Sequence, residues 1–273
     1  MASEISLSAA VRENLLALAS TERLISRTQN RLSSGLRVAS PIDDARIFFE
    51  SKAISDRARD MEEKKEGIDQ SISSVTTALE AIESVDAIVQ QMKGLAIAAK
   101  TATGGELTSL VDQYNELRNQ IDNLTGDANY QGLNLVNGTG ETLQISFSTD
   151  TSSVLNIDSI DVRVASTGLG LTSAASFSLA SVITAALAEI TAATETLSGE
   201  AQGLGSNIAL LQTRLDFNES YVNVLEAGAD KLTLADITEE GANLVALQTR
   251  QQLGISALAF AGRSEQSVLQ LFN

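Results

Sequence analysis

The chain has 273 residues and a formal charge of −16, with 35 acidic against 19 basic side chains, and it contains no cysteine, histidine or tryptophan. Without thiols or imidazoles there is no disulfide framework, no Ser-His-Asp triad and no HExxH zinc helix, and the acidic balance argues against general binding to nucleic-acid phosphates. A single proline and 4% aromatic residues favour long helices over a rounded enzyme core, and no cofactor, metal site or catalytic activity is expected.

The opening MASEISLSAAVREN has neither the basic n-region nor the unbroken apolar h-region of a cleaved secretory signal. No window approaches 18 uncharged apolar residues, so no membrane insertion is expected. Composition alone points to a cytosolic protein.

Val11, Leu18, Ile25 and Leu32 recur every seventh position, with Leu7 and Leu15 beside them, which predicts an amphipathic helix over residues 5–33. Gly35 is placed to end it, because glycine takes the left-handed C-cap conformation at little cost. The pattern stops within RLSSGLRVASPIDDA, residues 31–45. There Ser40, Pro41 and Asp43 read as N-cap, N1 and N3 of a new helix. The serine accepts an orphan N–H, proline is preset near helical φ, and Asp43 and Asp44 suit the positive end of the dipole.

Ile47, Ile54, Met61, Ile68, Val75, Ile82, Val89 and Ala96 then hold one heptad register, joined by a second seam of Ala78, Leu79, Val85, Met92 and Ala99. A helix of about 55 residues spans roughly 80 Å at 1.5 Å per residue. Gly104 and Gly105 break it, and Leu107, Leu110, Tyr114, Leu117, Ile121 and Leu124 predict an antiparallel helix after a short loop.

Residues 139–181 are rich in Ser and Thr, and LQISF, VLNI and IDVRV alternate like short strands, predicting a small β-hairpin or two on a flexible link. The heptad returns with Ile183, Ile190, Leu197, Leu204 and Leu211, is interrupted by Asn218, and resumes at Leu225 and Leu232. Thr233 and Asp236 offer helix-start signals, and Ile237, Leu244, Leu247, Leu258, Val268 and Phe272 line a last amphipathic segment.

The carboxylate pairs Asp43/Asp44, Glu62/Glu63 and Glu239/Glu240 read as helix starts and solvated faces, with no third ligand beside them. Asn123, Asn137 and Asn218 match N-x-[ST], a triplet that arises freely in so polar a chain; O-linked modification of exposed Ser or Thr within residues 139–181 is the expectation in its place.

The ends cannot stand alone. Burying four seam residues of the first helix gains about 6–12 kcal/mol, whereas ordering some 30 residues of backbone costs roughly 30–60 kcal/mol. Even with every Leu and Ala counted and the helical hydrogen bonds credited, a lone arm is marginal. Both arms therefore need apolar partners, in each other or in other copies of the chain.

STERLISRTQNRLSSGLRVASPIDDA resembles the amino-terminal signature of bacterial flagellins, of the form RLSSGxRINSAxDDAA. The segments DITEE and ALQTRQQLGISALAFAGRSEQSVLQLF are similar to the family's terminal helix, and ANYQGLNLVNG to its FNGxxLL turn. The resemblance covers about residues 1–140 and 180–273. ARIFFESKAI stands where the family has AAGLAI, Gly262 where Asn is usual and Glu265 where Pro is usual.

The resemblance implies a subunit of the extracellular flagellar filament used for swimming, exported through the flagellum's own channel without signal cleavage. It overrides the cytosolic default. It implies an all-α dominated fold: long antiparallel coiled-coil helices, a small β-hairpin, and amino- and carboxyl-terminal helices that pair in the assembled filament. The segments are then 1–40, an inner-tube arm and hinge; 41–138, outer-tube helices; 139–181, a short variable middle; 182–232, an outer-tube helix; and 233–273, the second inner-tube arm.

Implied partners are further copies of the chain, an export apparatus, an export chaperone, and hook-associated and cap proteins. In some flagellins an Arg, a Leu and a Glu on the outer helices form a patch read by a vertebrate innate receptor, and Gln91, Leu95 and Gln113 occupy the matching positions. A hook–filament junction protein of the same axial family and a soluble coiled-coil regulator or chaperone are the alternative readings.

Overall fold

The computed structural model describes residues 9–270. Its elements follow in the order α1 (Ala9–Ser34), α2 (Ala45–Ala98), α3 (Gly105–Asp127), β1 (Thr142–Ser146), β2 (Val154–Asp158), α4 (Ala180–Thr233) and α5 (Ile237–Gln270). Two compact units result: one gathers the two ends of the chain, up to Arg57 and from Val224, and the other holds Ala58–Asn223.

Helices α2 and α4 are 54 residues each and run antiparallel. In the terminal unit the Ser51 hydroxyl donates to the Ala229 carbonyl at 3.2 Å, and in the central unit the Gln90 amide donates to Thr194 Oγ1 at 3.4 Å. The heptad positions explain the packing. Ile68, Val75, Ile82, Val89 and Ala96 of α2 are buried together with Ile183, Ile190, Leu197, Leu204 and Leu211 of α4. Helix α3 adds Val111, Tyr114 and Ile121 to the same core.

The middle segment corrects two expectations. Only LQIS and VLNI form strands, paired antiparallel from Thr142 opposite Asp158 to Ser146 opposite Val154. IDVRV instead runs beside residues 135–136, the Ile160 and Val162 N–H groups donating to the Leu135 and Val136 carbonyls at 2.9 and 3.1 Å. It cannot continue as a ladder because Asp161 closes a local turn. Its carboxylate accepts from Arg163 Nε and Nη2 and from the Thr167 hydroxyl, all at 2.9 Å. Hydrogen bonding from Arg163, ahead of that from Thr167, holds the Asp161 carboxyl below its ordinary range.

Gly138 passes this turn at φ +64°, where an added Cβ would lie 2.6 Å from Asp161 Cγ. Nor is the segment a flexible link. Phe147, Ile157, Val162, Leu169, Leu171 and Phe177 all lie in the core with the helices.

The polar Asn218 within the α4 seam is explained by the same segment: it is buried, and its amide donates to the Phe147 carbonyl at 3.2 Å. The Arg214 guanidinium covers the Phe147 ring at 5.0 Å. Asn218 thereby ties the hairpin to the helix, and its burial keeps it from any sugar in the folded chain. Deep in the core, Tyr114 meets Phe177 edge-on, with ring centroids 5.4 Å apart, and its hydroxyl finds no hydrogen-bond partner among the described residues. Burial, ahead of the nearby Glu189 charge, pushes the Tyr114 phenol up to about 12.

Candidate functional site

The terminal unit is built by α1 and α5, which pack antiparallel. Arg31 Nη1 meets Glu240 Oε1 at 2.7 Å at one end of the pair, and toward the other a Cβ added to Gly254 would lie 3.1 Å from Leu18 Cδ1. Val11 and Ile25 are buried on the inner face of α1 with Thr21 and Thr28, while Leu18 and Leu32 are half-buried. Leu244, Leu247 and Leu258 are half-buried on α5, and Leu15 is 39% exposed at the seam's edge. Leu7 and Phe272 lie outside the described residues, as does the side chain of Val268.

At 100° per residue, Leu16 of α1 and Val245, Leu253 and Phe260 of α5 fall on faces opposite the seam. They are 72%, 63%, 67% and 71% exposed. Helix α5 is thus apolar on two sides, one used inside the chain and one left outward. Reading a single heptad register misses this second stripe. Its signal was the run of apolar residues in LGISALAFAG, too dense for a helix with one buried face.

The two joints that lead into this pair are clasped to each other. Helix α1 ends where Gly35 takes φ +72° and its N–H donates to the Arg31 carbonyl at 2.8 Å. Leu36 then bridges Leu234, with Arg37 N–H donating to the Thr233 carbonyl at 2.7 Å and Ala235 N–H to the Gly35 carbonyl at 2.9 Å. The Arg37 side chain donates to the Leu232 carbonyl at 3.0 Å. Arg31 and Glu240 lock the same corner, and Glu240 is buried rather than part of a solvated face.

The helix starts differ from the expectation in one turn. Ser40 does not cap α2; Ser40–Asp43 forms a β-turn, the Asp43 N–H donating to the Ser40 carbonyl at 3.1 Å. Pro41 serves as its second residue, where the same fixed φ is favoured. The Asp43 carboxylate reaches back to accept the Ser40 N–H and hydroxyl, both at 3.0 Å, and the Ser40 hydroxyl is the first cause of its lowered pKa. The cap is Asp44, whose carboxylate accepts the Ile47 N–H at 3.0 Å and whose carbonyl accepts Phe48 N–H at 3.0 Å. Likewise Thr233 ends α4 rather than starting a helix, and Asp236 caps α5 through the Thr238 and Glu239 N–H groups at 2.8 and 3.1 Å.

Gln91, Leu95 and Gln113 are brought together on the outer face of α2 and α3, lining a shallow groove of about 500 Å³ with Gly94, Glu116 and Leu117. Neutral amides stand at positions 91 and 113, so hydrogen bonds made by those two side chains lack the strength a charge would add. Among the described residues no cluster of acidic side chains is arranged to hold a metal ion, and no helix is long and apolar enough to cross a membrane.

The model for the bacterial flagellin N-terminal helical region matches residues 5–141, and that for the bacterial flagellin C-terminal helical region matches residues 187–272. Flagellin FljM of Caulobacter vibrioides is 30% identical over 257 residues, covering 93% of each chain. The flagellin of Brucella melitensis is 30% identical over 267 residues, covering 94% of this chain and 95% of its own. In fold the chain is similar to a solved putative flagellar hook-associated protein from Vibrio parahaemolyticus, with a TM-score of 0.59 at 10% identity, covering 70% of this chain and 100% of that one.

Proposed function

The chain belongs to the bacterial flagellin family and is a structural subunit of the flagellar filament, and from that premise we propose that its paired terminal helices are the element that joins one copy to the next. The observation that supports this is the outward stripe of Leu16, Val245, Leu253 and Phe260, left exposed after α1 and α5 have paired. Burying four such side chains against neighbouring copies gains on the order of 6–12 kcal/mol per subunit. That is of the same order as the roughly 4–15 kcal/mol lost in translational and rotational freedom on association, so losing part of the stripe should shift the critical concentration steeply, about tenfold per 1.4 kcal/mol.

The inner seam of Val11, Leu18, Ile25, Leu32, Leu244, Leu247 and Leu258 acts indirectly, by holding the stripe in place. Gly35, the Ser40–Asp43 turn and the clasped joints tie the pair to the near ends of α2 and α4. We further infer that the chain reaches the outside through the flagellar secretion channel, with an export apparatus, an export chaperone, and hook-associated and cap proteins as its other partners. The junction-protein and regulator readings find no support in the family matches.

The test is the double substitution Leu253→Asp and Phe260→Asp, which alters outward side chains alone. The variant is expected to keep the helicity and melting of the monomer and to form no fibres under conditions where the unaltered chain gives fibres of uniform width by electron microscopy. Normal fibres from the variant would overturn the proposal.

A further inference from the structure

A polar groove of about 390 Å³ runs along the α1–α5 pair on the side of the clasp, lined by Arg27, Arg31, Arg37, Arg250, Asp236, Glu239 and Glu240 among others. Most of its acids are already committed. Asp236 caps α5, and Glu240 is paired with Arg31. Arg37 donates to a carbonyl, which leaves its charge uncompensated. Arg27 and Arg250 are exposed and have no ion-pair or hydrogen-bond partner among the described residues. Asp236 keeps its charge while capping the helix, so once Arg31 and Glu240 have paired, three guanidinium groups face the two carboxylates of Asp236 and Glu239, a surplus of one positive charge.

This surplus stands against a strongly partitioned charge. The central unit, residues 58–223, holds 22 acidic and 8 basic side chains, a net of −14; the remainder holds 13 acidic and 11 basic, a net of −2. Copies packed at random would repel through their central units. A packing that sets the central unit of one copy against the arginine groove of another replaces that repulsion with attraction and fixes which surfaces meet.

We propose that the groove formed by Arg27, Arg37 and Arg250 receives carboxylate side chains from the central unit of a second copy of this chain. Guanidinium groups suit such a contact, since their fork of donors matches a carboxylate bidentately. The inference rests on the filament reading and adds to it a charge-selective contact, separate from the apolar stripe, that sets register between subunits.

The decisive experiment uses the full chain with Arg27→Lys and Arg250→Lys, which keeps the charge and supplies amines. Isotope-labelled and unlabelled copies are mixed, polymerised and treated with a zero-length carbodiimide, which joins an amine to a contacting carboxylate as an amide with loss of water. Mass spectrometry is expected to find mixed-isotope peptides in which position 27 or 250 is joined to an acidic residue between 58 and 223. Links confined to one copy, such as to Glu239, or links to the terminal unit of another copy would overturn the inference.

In parallel, Arg27→Glu with Arg250→Glu is expected to raise the critical concentration roughly tenfold while leaving the monomer's helicity unchanged, and the lysine pair to raise it less than about threefold. Equal critical concentrations for the charge-reversed and unaltered chains would overturn the inference while leaving the filament reading intact. Failure of the unaltered chain to polymerise at all would overturn both.

Discussion

Tyr114→Phe isolates one oxygen atom. The ring is fully buried against Phe177 and its hydroxyl has no hydrogen-bond partner among the described residues, so the substitution keeps the edge-on aromatic contact and removes a desolvated polar group. Burying such a group unpaired costs about 1–3 kcal/mol, and the variant should be more stable by that amount at neutral pH. Alkaline pH gives an independent check. The folded phenol is pushed up to about 12 from an ordinary value of 10. A folded pKa raised above the unfolded one contributes stability that is complete below pH 10 and is lost as pH rises towards 12. At 1.36 kcal/mol per unit the loss is at most about 2.7 kcal/mol, present in the parent chain and absent from the variant. Urea unfolding of both monomers, followed by circular dichroism at neutral pH and across the alkaline range, reads the two effects, with other titrations cancelling in the difference. A variant less stable by about 1 kcal/mol at neutral pH, or a constant difference between pH 10 and 12, would refute the reasoning and show that the hydroxyl is well partnered.

Gly35→Val places a β-branched side chain at φ +72° and should cost about 1–2 kcal/mol, visible as a higher critical concentration; an unchanged value would mean that the joint relaxes freely. Glu240→Gln leaves Arg31 without its ion partner at a corner that is mostly buried, and should lower the stability of the terminal unit by about 1–3 kcal/mol, read by hydrogen exchange of α1 and α5. Gly138→Ala forces a Cβ against the Asp161 side chain in the left-handed region, and should destabilise the central unit by about 1–3 kcal/mol in thermal melts.

The long helices were legible because their evidence is repeated. Each of Ile68, Val75, Ile82 and Val89 marks the same face, so no single residue decides the element. Caps are decided by one residue, and there local chemistry offers rivals. Ser40, Asp43 and Asp44 are all acceptable N-caps, and the choice fell to Asp44 because Asp43 is engaged by Ser40 in the preceding turn. IDVRV alternates as a strand does, yet alternation records only which side chains are buried; whether a neighbour supplies a ladder depends on where the Asp161 turn bends the chain. The Arg31–Glu240 pair joins positions 209 residues apart and the arginine groove draws on the same two ends of the chain, a relation that no local pattern carries. The outward stripe of α5 was written in the sequence but hidden by the seam beside it, since two apolar faces on one helix blur any single period.

The pairing of α1 with α5 also imposes an order in time. Arg31 and Glu240 stand 209 residues apart, so a chain that emerges from its first residue carries α1 for most of its length before its partner exists. Closing so long a loop is slow compared with zipping up the local contacts of a helix and its neighbour. The central unit, whose strands, α3 and flanking helices lie closer together in sequence, can settle first. The outward apolar stripe has its final geometry only when the last helix arrives. With the stripe joining copies as proposed, a partly emerged chain is expected not to join a fibre, and readiness to assemble waits until the carboxyl-terminal helix has come into reach.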